Sequence, residues 1–212
     1  MDINQTIRSY ARQPLTHGLL LSILKNYKRP NDKVHNMLAD GILTSVKKGL
    51  YIAGPVLKAN KPEPFLMANH VLGPSYVSSD SALSYYGLIP ERVYEISSMT
   101  TKASRKFVTS MGIFSYTHLP LPYYSFGIQQ IKLSDEQYIM MASPEKALFD
   151  KVITTAGLVL RSKKDAWYYL VDDLRMDEER LKDFDTVSML SWLHDAAKKD
   201  SLSMIIKMIN NL

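Results

Sequence analysis

The chain has no cysteine among its 212 residues. That absence removes disulfide frameworks, thiolate metal sites and cysteine nucleophiles, and it fits a reducing compartment. Long hydrophobic runs are missing too. The apolar stretch nearest the N-terminus, Leu19 to Leu24, falls far short of the roughly 20 residues that span a bilayer. Gln13, Thr16 and His17 precede it and Lys25 closes it without a small-residue cleavage site, so a secretory leader is not indicated. The expected location is cytoplasmic, with no membrane contact.

Several chemical signatures are also lacking. No GxGxxG or GxxxxGK loop occurs to cradle a nucleotide phosphate. His17, His35, His70, His118 and His194 are scattered and have no metal-ligand spacing. There is no Asp/Glu-x-Lys triplet of the kind that metal-dependent nucleases use to hold a metal and stabilise the developing phosphorane. Ser78, Ser79 and Ser81 lack a GxSxG context and read as turn and cap residues. The adjacent acids Asp172-Asp173 and Glu178-Glu179 diverge on a helix and read as a solvated face. The chain is therefore expected not to be an enzyme and to need no metal or cofactor.

What is present is ordinary globular composition, 46% hydrophobic and 22% charged, with an uneven charge distribution. Residues 1–54 hold eight cations against three acids, and the rest of the chain is balanced, so the whole net charge of +5 belongs to the first quarter. That asymmetry is expected of a module that meets a polyanion.

Ile3, Ile7 and Tyr10 recur at helical spacing, and Thr16 can cap a second helix carrying Leu19, Leu20, Ile23, Leu24 and Tyr27. Asn31 is placed to cap a third helix with Val34, Met37 and Leu38 inward, ended by Gly41. Residues 42–46 and 50–53 read as a hairpin around Lys47-Lys48-Gly49. Three short helices and a basic-tipped hairpin are the order of a winged helix-turn-helix, assigned to residues 1–57. The third helix would enter the major groove and present Asn31, Lys33, His35 and Asn36, while Lys28, Arg29, Lys47 and Lys48 would contact flanking phosphates. A protein-interaction module is the alternative, but basic and amide side chains suit phosphates better than a dry interface.

Residues 58–212 are expected to form an α+β unit. Lys58 to Pro64 reads as a linker; Phe65 to Leu72, and a segment capped by Ser79, as helices; five segments between Val93 and Met141 as a mixed, largely antiparallel sheet. Ser143-Pro144-Glu145 announces another helix, and from Ser162 the pattern is helical, covering the sheet. Lys102, Arg105 and Lys106 form a basic cluster, either protecting a strand edge or making a second nucleic-acid or partner contact.

Three sets of motifs carry a family resemblance. Tyr27-Lys-Arg-Pro-Asn-Asp-Lys33, Met37-Leu-Ala-Asp-Gly-Ile-Leu43 and Lys47-Lys-Gly-Leu-Tyr-Ile52 resemble the N-terminal domain of AbiEi-type antitoxins of type IV abortive-infection systems. Gly73-Pro-Ser-Tyr-Val-Ser78, Ser81-Ala-Leu-Ser-Tyr-Tyr-Gly-Leu-Ile-Pro-Glu91 and Ala142-Ser-Pro-Glu-Lys-Ala-Leu-Phe-Asp150 resemble that family's second domain. The resemblance implies a DNA-binding autorepressor that opposes a nucleotidyltransferase-like toxin without requiring a stable complex. It also implies inverted repeats in the chain's own promoter, read by a dimer. A winged-helix regulator with a ligand- or protein-sensing second domain and no toxin is the competing reading, and a nucleic-acid-modifying enzyme with an unusual site a third.

Overall fold

The computed structural model describes residues 2–134 and 137–212. Its N-terminal unit contains α1 (Ile3–Ser9), β1 (Leu15–Thr16), α2 (His17–Ile23), α3 (Pro30–Ala39), β2 (Leu43–Lys47) and β3 (Leu50–Ala53). The Asp2 carboxylate accepts from the Asn4 amide to start α1, and Thr16 Oγ1 accepts from the Leu19 amide to start α2. The start of α3 differs from expectation. Arg29 occupies the cap and Pro30 the first helical position, so Asn31 lies inside the first turn and caps nothing. Proline's fixed φ suits that position, and the residue before it is kept out of the helical region.

Gly41 and Gly49 take φ of +68° and +82°, ending α3 and turning the hairpin where a side chain would be strained. Nothing in the residue pattern announces β1. This two-residue strand pairs antiparallel with β3, making a three-stranded sheet in the order β1-β3-β2. Ile7, Leu15, Leu20, Leu24, Val34, Met37 and Leu43 close over one another as a small core, each burial being worth about 1.5–3 kcal/mol.

The second unit opens with α4 (Pro64–Val71), β4 (Ser75–Val77) and α5 (Ser79–Tyr85), followed by β5 (Glu95–Thr100), β6 (Arg105–Thr109), β7 (Gly112–His118), β8 (Ile128–Ser134), β9 (Gln137–Ala142) and α6 (Pro144–Thr154). The strands form one six-stranded sheet in the order β6-β7-β5-β4-β9-β8. β6 with β7, β5 with β4 and β9 with β8 are antiparallel, while β5 with β7 and β4 with β9 are parallel, so the sheet is mixed with an antiparallel majority. Ser79 is the first residue of α5 and its φ is +52°; Ser78 takes the cap position instead, without a side-chain cap bond. Ser143 does cap α6 through Lys146 N, with Pro144 next.

Because side chains alternate across a sheet, Ile96, Ser98, Phe114, Tyr116, Arg105 and Phe107 share the face covered by α4, where Tyr116 Oη donates to the Ala68 carbonyl at 2.6 Å. Tyr76 points to the opposite face, towards α6. The remaining helices are α7 (Lys163–Trp167), continued by a π-helical turn over Tyr168–Asp173, then α8 (Glu178–Leu181), α9 (Thr186–Trp192) and α10 (Lys199–Ile209). Ser162 and Asp165 cap α7 reciprocally, and α10 packs against α6, α7 and α9.

The two units share a packed boundary. Val46, Leu50 and Ile52 of the hairpin belong to the same apolar cluster as the six-stranded sheet. The buried Gln137 donates from Nε2 to the Arg12 carbonyl at 2.9 Å and accepts from the Glu63 amide at 3.2 Å. Ser110 Oγ reaches the Ser45 carbonyl at 3.3 Å. The chain passes from one unit to the other near residue 57, but the core does not stop there.

Candidate functional site

The outward side of α3 follows from its apolar spacing. Val34 and Met37 are buried, which leaves Asn31 and His35, one turn apart, exposed together and Asn36 exposed beside them. Lys28 and Arg29 stand exposed at the helix entry; the Arg29 guanidinium lies 3.7 Å from Asp32, also exposed. Lys33 is half-buried, its Nζ 5.7 Å from the centre of the Tyr27 ring. Lys48 projects from the hairpin tip, and among the described residues neither it nor Lys28 has an ion-pair partner. No acid occurs from Gly41 to Pro62, so the hairpin is uniformly positive or neutral.

Lys47 is placed differently from Lys48. Its Nζ donates to the Val71 carbonyl at 2.5 Å, at the C-terminal end of α4, and lies 5.8 Å from the Phe107 ring. This cation joins the two units, satisfying a helix-end carbonyl. The second basic cluster also divides. Arg105 and Lys106, adjacent on edge strand β6, face opposite sides of the sheet: Lys106 pairs with Glu95, whereas the Arg105 guanidinium is exposed and lies 5.9 Å from Phe107. The Lys106 bond holds Glu95 below the usual carboxylate range. Lys102, in the loop before β6, donates to the Gly73 carbonyl.

A second constellation escaped the sequence reading. Lys146 and Asp150, one turn apart on α6, are both fully buried, with Nζ 2.6 Å from Oδ1. Asp150 also accepts from Tyr123 Oη at 3.0 Å on Oδ1, and from Tyr76 Oη at 2.9 Å and Ser78 Oγ at 2.7 Å on Oδ2. The ammonium lies 3.5 Å from the centre of the Tyr123 ring. Burial pushes the Lys146 pKa down while Asp150 pulls it back up; burial and the neighbouring carboxylate both push the Tyr76 and Tyr123 phenols up. The charges are thus paired and the carboxylate is fully hydrogen-bonded, as buried charge requires. The Ser143-Pro144 cap explains the start of α6 but not the two buried charges that follow it. The missed signal was a Lys and an Asp at i and i+4 within the otherwise apolar run Ala147-Leu148-Phe149.

On the same side of the sheet as α6 lies a cleft of about 580 Å³ lined by Asp80, Glu91, Arg92, Glu95, Lys151 and Asp173 among others. Most of its charges are paired: Lys151 with Asp80 at 2.8 Å, Glu91 with Arg175 and Glu95 with Lys106. Among the described residues no helix is long and apolar enough to cross a membrane. No family model and no curated protein matches the sequence.

Proposed function

We propose that the chain is a DNA-binding repressor of its own promoter, using a winged helix-turn-helix in residues 1–57, and that it serves as the antitoxin of a type IV, AbiE-like system against a nucleotidyltransferase-like toxin. The observation that carries the DNA-binding part is the exposed set on and around α3: Asn31, His35 and Asn36 on one side, Lys28 and Arg29 at its entry, Lys48 at the wing tip. Asn and His offer donors and acceptors suited to base edges, and the cations suit phosphates. Lys47 is occupied at the unit boundary, so the wing's phosphate contact falls to Lys48.

The antitoxin part rests on the family resemblance. Its support in the structure is that two separate resembling stretches, Gly73–Ser78 and Ala142–Asp150, meet physically: Tyr76 and Ser78 of the first bond Asp150 of the second. The motifs therefore define one packed unit. The mixed-charge cleft favours the competing reading, a regulator whose second unit senses a ligand.

Electrophoretic mobility shift on the DNA upstream of the chain's own reading frame tests the repressor reading, with specific retardation expected. Co-expression with the product of the adjacent reading frame separates the two second-unit readings. Rescue of growth from a nucleotidyltransferase-like protein supports the antitoxin; absence of any such neighbour favours the sensor.

A further inference from the structure

We infer that the cleft on the α6 side of the six-stranded sheet binds a free amino acid, or a small molecule with the same pairing of one ammonium and one carboxylate. This is independent of the DNA-binding reading and gives the sensing alternative for the second unit its ligand class. Three elements converge on the cleft: the chain entering β5 brings Arg92 and Tyr94, α5 and α6 bring Asp80 and Lys151, and the π-helical turn ends at Asp173. Turns of that kind recur at functional sites. The volume of about 580 Å³ falls within the roughly 300–1,000 Å³ of small-molecule sites.

The charges in and around the cleft decide the ligand. Lys151 pairs with Asp80, Arg175 with Glu91 and Lys106 with Glu95, so these six cancel. One cation and one acid are left over, Arg92 and Asp173. Both line the cleft, both are exposed, and among the described residues neither has an ion-pair partner, so they do not pair with each other. A planar guanidinium takes a carboxylate through two parallel N–H donors, and a carboxylate takes an ammonium. A ligand that carries both groups satisfies both residues, whereas a simple anion or cation leaves one unmet. Ile89, Val93 and Leu174 supply apolar wall for the ligand's side chain.

Solvation of stray surface charge does not account for Tyr94. Its ring is 81% exposed, and the Arg92 guanidinium lies 5.5 Å from the ring centre. That cation–π contact places the guanidinium at the cleft while its five donors remain available to a carboxylate.

The test is isothermal titration calorimetry of the full chain with each of the twenty free amino acids, then with the methyl ester and the N-acetyl derivative of the tightest binder. One amino acid is expected to bind, and both derivatives to bind about tenfold or more weakly, the loss of one charge-assisted contact. R92Q should bind the amino acid and its ester alike, and D173N the amino acid and its N-acetyl form alike. The inference is overturned if none of the twenty binds at millimolar concentration, if either derivative matches the parent on wild type, or if either variant keeps wild-type affinity and discrimination. Both side chains are exposed and unpaired, and melting curves matching the wild type establish that the variants are folded. A failed titration leaves the sensing reading to the co-expression test and the repressor reading to the mobility shift, so the three fall separately.

Discussion

Lys146 and Asp150 contact each other at 2.6 Å across one turn of α6, with neither side chain reaching solvent. Removing one partner leaves the other charged and buried, which costs about 3–5 kcal/mol. K146M should therefore lower unfolding free energy by about that amount in urea titrations. The double variant K146M/D150L should lose less than K146M and D150L summed, since the charge penalty is then counted in neither. Additive losses would show that the pair is not coupled.

The exposed side of α3 makes a different kind of prediction. H35A and N36A should each cost about 1–3 kcal/mol on the operator and little on scrambled duplex, measured by anisotropy on both. K48Q should weaken both duplexes alike. Equal losses on both duplexes for H35A and N36A would assign those residues to phosphate contact.

Lys47 and Lys48 are adjacent in sequence and should respond oppositely. K47M removes the bond to the Val71 carbonyl and should lower stability by about 1 kcal/mol, leaving the salt dependence of DNA binding unchanged. A shallower salt slope for K47M would show that it reaches phosphate after all.

Gln137 holds one backbone group from each side of the chain's passage between units, the Arg12 carbonyl and the Glu63 amide. Q137L should cost about 1–3 kcal/mol, because both groups lose their partner in a poorly hydrated position. Hydrogen exchange should then show the Glu63 amide losing protection ahead of the sheet.

The Asp165 carboxylate is held below its ordinary pKa, first by the Arg161 amide and then by Ser162. A carboxyl with a depressed folded pKa stabilises the fold above its unfolded value of about 3.9, and that contribution disappears as pH falls through the folded value. Melting curves from neutral to acid pH should show D165N less stable than wild type at pH 7, with the gap closing below about pH 4.

Features governed by local chemistry were readable from sequence. Gly41 and Gly49 mark positive-φ turns, Thr16 and Ser143 cap helices, and five of the six sheet strands carry their own β-rich patterns. Features set by tertiary context were not. β4, three residues between a Gly-Pro turn and Ser78, is too short to show a period, yet it lies between β5 and β9 inside the sheet. β1 is shorter still and exists because β3 offers a free edge. Asn31 lost the cap because Pro30 fits the first helical position. In the candidate interface, residue types were readable, but the diversion of Lys47 to α4 and the separation of Arg105 from Lys106 depend on contacts between units. The buried cluster joins residues 72 positions apart, Ser78 and Asp150, which spacing along the chain does not reveal.

Val46, Leu50 and Ile52 lie in the hairpin yet are buried with the side chains of the six-stranded sheet. A fragment cut after Leu57 would expose those three residues to water together, on the same hairpin that carries Lys48. Such a piece would stick to itself or to any apolar surface, and its retention of DNA in a shift assay would report clumping as much as recognition. Separating the two halves for biochemistry therefore calls for polar replacements at these three positions, or for keeping the halves joined.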